Sequence, residues 1–492
     1  MRPSRPIPFR STAALGLLLS LGACASVPDL GARAELRTSA SIAAEQSFAA
    51  SSRANWPVDA WWRSYGDPQL AQLIEEGLQD SPDAAAAAAR FRRAQGLAQA
   101  AGAPLLPSIG VQAGAGLQKQ SYNLGIPRQF VPKGWQDVGQ ASVDLSFDLD
   151  LWGRNRAALA AATSEAEAAR IEQDQARLML ATTIASTYAD LARLHAERDV
   201  LAAALDLRST TQKLVSDRVR NGLDTRAELK QADAAVPSAR ADLAAADEAI
   251  ALTRNQLAAL VGAGPDRGLT IAKPALAMLQ PPGLPMQVTT DLIGRRPDIA
   301  AARARAEAAA SRIKVAHADF FPAIRLGALV GVQSLGLDNL TNSGSTYSNV
   351  TPSISLPIFR GGALSGQYRG ARGSYDEAVA LYNGTVLAAY REVADAVTSQ
   401  RGTADRLAQS RQALSDSEEA YAVARKRYEG GLSTYLNVLS SEEKLLQARR
   451  AVADLDARTF ALDVALVRAL GGGFTAAPST RPSAPAKENP NG

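Results

Sequence analysis

The sequence predicts an α+β membrane protein assembled from a duplicated half-repeat, each copy supplying two β-strands and two long, coiled-coil-like helices. Three observations carry that prediction. Pro82-Asp83 and Pro107 recur 215 positions later as Pro297-Asp298 and Pro322. Arg218, Gly222, Leu223, Thr225, Arg240 and Gly262 recur 209 positions later as Arg427, Gly431, Leu432, Thr434, Arg449 and Gly471. A unit of that length present only twice is a duplication rather than a solenoid of short repeats. Four stretches alternate apolar and polar residues with a period of two, as half-buried strands do. The run from Arg156 to Arg220 contains neither glycine nor proline, so a single helix there would extend roughly 100 Å at about 1.5 Å per residue, more than a globular core needs.

The elements follow in chain order. The opening is basic at Arg2, Arg5 and Arg10, then apolar from Ala13 to Leu21, a stretch too short to span a bilayer. Residues 1–23 therefore read as an export signal. It ends Leu21-Gly22-Ala23-Cys24, which resembles the lipobox of bacterial lipoproteins, where Cys24 takes diacylglycerol on its thiol and palmitate follows; an ordinary signal with an incidental cysteine is the alternative. Ala25 after the cysteine resembles the pattern sent to the outer membrane. Residues 24–65 are weakly patterned and are expected to wrap the outside of the body.

The first repeat is expected over 66–262 and the second over 291–473. In the first, Ile109, Val111, Ala113, Ala115 and Leu117 oppose Gly110, Gln112, Gly114, Gly116 and Gln118, giving a strand over 106–118. Ala141, Val143, Leu145, Phe147 and Leu149 oppose Gln140, Ser142, Asp144, Ser146 and Asp148 over 138–150. The second repeat carries corresponding strands over 323–333 and 349–358, with Leu329 as the one clear violation of the alternation. At about ten residues each, these also suit lipid-facing strands with a wet inner face. A soluble sandwich shows the same pattern, so the count decides. Four strands cannot close a barrel, and an open edge is not tolerated in lipid, so several chains must each contribute four. No stretch offers about 20 uninterrupted apolar residues for a membrane helix. The loops 119–136, with Tyr122, Phe130 and Trp135, and 334–347, with Tyr347, read either as interfacial or as ordinary exposed aromatics.

Long helices are expected over 154–220 and 361–428. Leu180, Ile184, Tyr188, Leu191, Leu194, Leu201 and Leu205 make an apolar seam in the first. Gly366, Gly370, Gly373, Gly384 and Gly402 weaken the second, each by up to about 1 kcal/mol. Both stop at the repeated turn, Asn221-Gly222-Leu223 and Gly430-Gly431-Leu432. Asp224 and Ser433 stand where they can cap returning helices over 224–261 and 433–470, and Pro237 should kink the first of these. Residues 263–290, rich in proline, read as a connector, and 474–492 as a disordered tail.

Composition narrows the function. With two histidines, His195 and His317, and a single cysteine, the chain builds neither a Cys/His zinc cluster nor a disulfide framework. Both histidines read as packing or surface residues. No phosphate-cradling Gly-x4-Gly-Lys-Ser/Thr pattern is present, and Gly361-Gly362 and Gly471-Gly473 lack the strand-before-helix setting of a dinucleotide site. Carboxylates alone can still support catalysis, but the expectation is no enzyme, no catalytic residue, no metal and no cofactor. Formal charge is +4, three of it in the export signal, which gives no reason to expect nucleic acid.

Arg295-Arg296-Pro297-Asp298-Ile299, Phe320-Phe321-Pro322, Asp150-Leu151-Trp152-Gly153-Arg154, and Arg427-Tyr428 followed by Gly431-Leu432-Ser433 resemble the signatures of TolC-like outer membrane factors, in the NodT-type lipoprotein branch serving tripartite (RND-type) pumps. The resemblance runs from roughly Trp56 to Gly471. It implies a homotrimer in the outer membrane of a Gram-negative bacterium, held there also by lipid, in which each chain gives one third of a 12-stranded β-barrel continued by an α-helical barrel across the periplasm. It further implies a passive efflux duct for drugs or other small molecules. An inner membrane transporter, of RND type, would supply energy, and a periplasmic membrane fusion (adaptor) protein would bridge the two. A type I protein-secretion outlet is the alternative within that class, and a lipid-tethered periplasmic coiled-coil scaffold is a different class altogether.

The same resemblance makes Asn221, Gly222, Leu223, Arg427, Gly430, Gly431 and Leu432 the adaptor-docking turns at the periplasmic tip. Tyr428 matches the tip tyrosine, and Glu228 an acidic residue on the neighbouring hairpin to which it can hydrogen-bond. Asn437 and Ser440 stand where relatives often carry aspartates around the constriction, so the cation-attracting ring such residues form is missing from these positions. Helix-end stabilisation is the alternative role for Tyr428, Glu228, Asn437 and Ser440.

Overall fold

The duplication sets the order of elements. A computed structural model describes residues 27–48, 54–123, 125–275, 284–285 and 288–475. The export signal, Cys24 and nearly all of the tail lie outside the described residues. Helices α1 (Pro68–Asp80) and α2 (Pro82–Gly102) lead to strands β1 (Ser108–Gln118) and β2 (Gln136–Leu149), long helix α3 (Arg154–Arg220) and returning helix α4 (Arg226–Leu260). After the short α5 (Asp266–Leu269), the series recurs as α6 (Val288–Arg295), α7 (Pro297–Ala318), β3 (Ala323–Leu335), β4 (Thr346–Ser355), α8 (Ala363–Glu429) and α9 (Tyr435–Ala469). Both long helices hold 67 residues and both returning helices 35, so the hairpins have kept their length, while the offset between copies falls from 215 to 209 across the strand region.

By contacts the chain divides into two compact units that cut across the repeats rather than between them. One takes its described residues from Met1–Glu35, Arg92–Ala168 and Ala302–Tyr382, the other from Leu36–Phe91, Ala169–Ala301 and Asn383–Gly492. The first unit holds a four-stranded antiparallel sheet in the order β1-β2-β3-β4. Its register keeps like with like: Val111 faces Val143, which faces Val330, and Asp148 faces Arg325. Leu329, the exception in the pattern, sits between Asp144 and Asn349 on the polar face. Strand β4 begins earlier than the alternation suggests because Thr346 and Tyr347 pair with Val332 and Gly331. Its Pro352 pairs with Leu326 on what is the edge strand of the single chain's sheet, the place where proline is tolerated. In the same unit the N-terminal segment is tied to α8: the Arg372 guanidinium donates to the Ala32 carbonyl, the Tyr375 hydroxyl to the Ala34 carbonyl (3.2 Å), and the Ala34 amide to Asp376 (3.4 Å).

The core of the second unit is the predicted seam of α3. Ile184, Tyr188 and Leu191 are fully buried against Leu70, Leu73 and Ile74 of α1 and Leu257 of α4. Asp67 ties this core together: its carboxylate accepts the Gln69 and Leu70 amides at the start of α1 (2.9 and 3.1 Å) and the Tyr188 hydroxyl (2.8 Å). Tyr65 donates to Asp463 of α9 at 2.5 Å. The repeated Gly262 and Gly471 end α4 and α9 at positive φ, and each faces the backbone just before a repeated Pro-Asp: a Cβ on Gly262 would stand 2.5 Å from the Asp80 carbonyl, and one on Gly471 would strike that of Arg295. Two motifs far apart in sequence thus recur together because they form one contact. Buried Arg296 completes it, with a fork to Asp298 (3.0 and 2.6 Å), a bond to Glu392 (2.8 Å) and one to the Ala469 carbonyl (2.9 Å).

One local expectation is corrected. Asp224 and Ser433 do not cap the returning helices. Thr225 is the N-cap of α4, closed into a capping box with Glu228, and Thr434 is the N-cap of α9 without a side-chain bond. The glycines of α8 do not admit close neighbours from within the chain, since no atom lies within 4 Å of a Cβ built on Gly366, Gly370, Gly373, Gly384 or Gly402. Pro237 lies inside α4 without ending it. No helix among the described residues is long and apolar enough to cross a membrane.

Candidate functional site

Both hairpin turns close by the same backbone device. Gly222 takes φ +73° and Gly431 φ +75°. The Leu223 amide donates to the Arg218 carbonyl at 2.8 Å and that of Gly222 to Val219 at 3.1 Å; Leu432 and Gly431 repeat this to Arg427 (2.7 Å) and Tyr428 (3.0 Å). This six-to-one, five-to-two pairing is the Schellman motif, which satisfies the last carbonyls of a helix while reversing the chain. Its consequence is exposure. Leu223 and Leu432 stand 64% and 73% accessible, and Asn221, Arg427 and Gly430 are exposed beside them.

Between the two turns lies a buried polar cluster that neither repeat makes alone. The Tyr428 hydroxyl donates to the Asp224 carboxylate. The Arg218 guanidinium donates to the same carboxylate at 2.9 Å and to the Tyr428 carbonyl at 3.1 Å, and its carbon stands 4.6 Å from the centre of the Tyr428 ring. Tyr428 is wholly buried, and the Arg218 and Asp224 side chains are only 12% and 7% accessible. Burial, with the bond to Asp224, pushes the Tyr428 hydroxyl well above its ordinary value, so it stays a neutral donor. Around the cluster, Val215, Ala232, Tyr435 and Val438 form an apolar sleeve.

The expected partner of Tyr428 is therefore corrected. Glu228 turns back on its own helix, accepting the Thr225 amide at 2.7 Å, so its carboxylate is committed to the capping box. The acceptor is Asp224, four residues earlier. Sequence reading takes Asp224 for a helix cap and Arg218 for a repeated position only, although one signal for Asp224 was present: the turns read Gly-Leu-Asp-Thr and Gly-Leu-Ser-Thr, and the acid marks where the copies differ. Asn437 and Ser440 are exposed near the start of α9. One turn beyond the apolar sleeve, Glu442 is 2% exposed and accepts from Arg208 at 2.8 Å. Burial raises its carboxyl above the usual glutamate value, while Arg208 opposes the shift.

In the other unit, the apolar face of the sheet is open. Ile109, Val111, Leu117, Val350 and Ile354 are each between 71% and 75% accessible. The described residues contain no group of three or more His, Cys, Asp or Glu able to hold a metal ion. What the arrangement offers is a bare apolar strand surface and a buried polar clasp between two hairpin ends.

The family model described as outer membrane efflux protein matches residues 73–263 and 288–472. Among curated relatives, the pyoverdine export outer membrane protein OpmQ of Pseudomonas putida is 32% identical over 475 residues, 95% of this chain and 98% of its own. Among solved structures, the outer membrane protein VceC of Vibrio cholerae is 45% identical and superposes with a TM-score of 0.81 over 85% of this chain and 100% of its own. The outer-membrane channel OprN is 26% identical, also at 0.81, over 92% of this chain and 99% of its own.

Proposed function

The chain belongs to the outer membrane efflux protein family and is a TolC-like outer membrane efflux channel; on that premise we propose that it works as the passive duct of a tripartite pump, carrying small molecules outward as a homotrimer. The observation that carries the trimer is the sheet. Four strands with an accessible apolar face and two unpaired edges cannot stand alone in lipid, so several copies must close the sheet, and three would give the twelve-stranded barrel that the family resemblance implies. The bare glycine surface of α8 suits a neighbouring copy packing closely.

In this reading, Arg218, Asp224 and Tyr428 clasp the two hairpins of each chain and hold the periplasmic tip in one of two states. Leu223 and Leu432, pushed outward by the turns, meet the adaptor, and an inner membrane transporter supplies the energy. Cys24 carries lipid, anchoring the start of the chain, and the ties of Ala32 and Ala34 to α8 support a segment that follows the outside of the body. No catalytic step is part of this function. The name of OpmQ, a pyoverdine exporter, favours small cargo over secreted protein. Cross-linking in native envelopes should give a ladder that stops at three chains, with discrete conductance steps in planar bilayers. Monomers alone, with no steps, would overturn the reading.

A further inference from the structure

At the end of the sheet from which the helices leave, within the strand-bearing unit, lies an open cavity of about 610 Å³. Arg33, Arg156, Lys314 and His317 line it, and no carboxylate does. The nearby acids are already engaged: Asp150 accepts from the Arg156 amide and the Asn155 amide (both 2.9 Å) and from the Arg156 side chain (3.2 Å), and Asp319 pairs with Arg154 (2.6 Å). Arg33 and Lys314 are exposed and have no carboxylate partner among the described residues. The rim is aromatic. Trp152 is 51% accessible, stacks on Phe321 at 4.8 Å and donates from Nε1 to the Pro322 carbonyl at 2.8 Å; His317 packs beside Phe321 and Tyr368.

We propose that this cavity binds the phosphate of an anionic glycerophospholipid in the periplasmic leaflet of the outer membrane. The inference rests on the channel reading, which makes the helix end of the sheet the periplasmic end. Trp152 stands three residues after β2, and Phe321-Pro322 immediately before β3, so the stacked rings mark the level at which the lipid-facing strands stop. Amphipathic rings gather at that depth, which is also the depth of headgroups. Unpaired cations beside such a belt recognise lipid phosphate, and each adds about fivefold in affinity. Acyl chains would then continue along the open apolar face past Leu149 and Leu151, which are 41% and 57% accessible.

The test uses the full chain reconstituted in phosphatidylcholine vesicles with and without phosphatidylglycerol, extracted gently, and assayed for bound lipid by native mass spectrometry. Phosphatidylglycerol should be retained in preference to phosphatidylcholine. Lys314→Gln and Arg33→Gln should each weaken that retention about fivefold and together about 25-fold, whereas Lys314→Arg should preserve it. Equal retention of the two lipids by the unaltered protein, unchanged retention in the double variant, or displacement by millimolar inorganic phosphate would overturn the site. Conducting trimers without lipid preference count against this site alone; an absence of conductance in both vesicle types counts against the channel reading instead.

Discussion

Replacing Tyr428 by phenylalanine removes one oxygen from the hairpin clasp and leaves the rest standing. The ring still fills its place under Arg218, and the Arg218–Asp224 pair at 2.9 Å is untouched. The loss is one hydrogen bond to a charged acceptor, about 1.5–3 kcal/mol. In a two-state aperture this shifts the closed-to-open ratio roughly tenfold to a hundredfold per chain. Asp224→Ala goes further, taking the acceptor from both Tyr428 and Arg218 and leaving a guanidinium only 12% accessible without its carboxylate, at a cost of about 3–5 kcal/mol. Glu228→Ala is the control: it opens the capping box, costs about 0.5–2 kcal/mol of local helix stability, and leaves the clasp whole. Conductance in planar bilayers and entry of a bulky antibiotic into cells should therefore rise in the order Glu228→Ala, Tyr428→Phe, Asp224→Ala, with the first close to the unaltered protein. Greater leakage through Glu228→Ala than through Tyr428→Phe would refute the assignment of the clasp.

Four other outcomes are expected. Gly471→Ala should lower the thermal midpoint far more than Gly222→Ala: both sit at positive φ, costing about 1–2 kcal/mol, but only the first drives a Cβ into backbone, whereas nothing lies within 4 Å of the second. Arg296→Gln should destabilise by about 3–5 kcal/mol in chemical denaturation, because Asp298 and Glu392 lose a shared buried partner. For Glu442, the folded carboxyl is raised above its ordinary value by burial, so it binds its proton more tightly folded than unfolded; its contribution to stability is full below the usual glutamate range and is lost as pH rises through the folded value. The stability difference between the unaltered protein and Glu442→Gln should change across mildly acidic pH in that sense, and a flat difference would contradict the shift. Leu223→Asp with Leu432→Asp should weaken co-purification of the adaptor while conductance steps persist, since both side chains point away from the clasp into solvent.

Strands and helices are legible in the sequence for different reasons. Alternation shows in β1 and β2 because one face must be apolar along its whole length, and the exposed Ile109 and Val111 beside polar Gln112 bear this out. Long helices show through an absence, the missing glycine and proline of α3. The glycines of α8 do not hide its helix, expected over 361–428 and found over Ala363–Glu429; what the sequence does not show is that their surroundings in one chain are empty. The clasp is half legible. Tyr428 stands out beside a repeated turn, but its partner depends on which of two acids, Asp224 or Glu228, is already spent on a helix cap, and that competition is settled only in three dimensions.

The clasp also says something about descent. Its two partners occupy different places in the repeat: 209 positions before Tyr428 stands Val219, and 209 after Asp224 stands Ser433. One half thus holds the acid and the other the phenol, so a single polypeptide carries one bolt and one lock where two matching pairs could have stood.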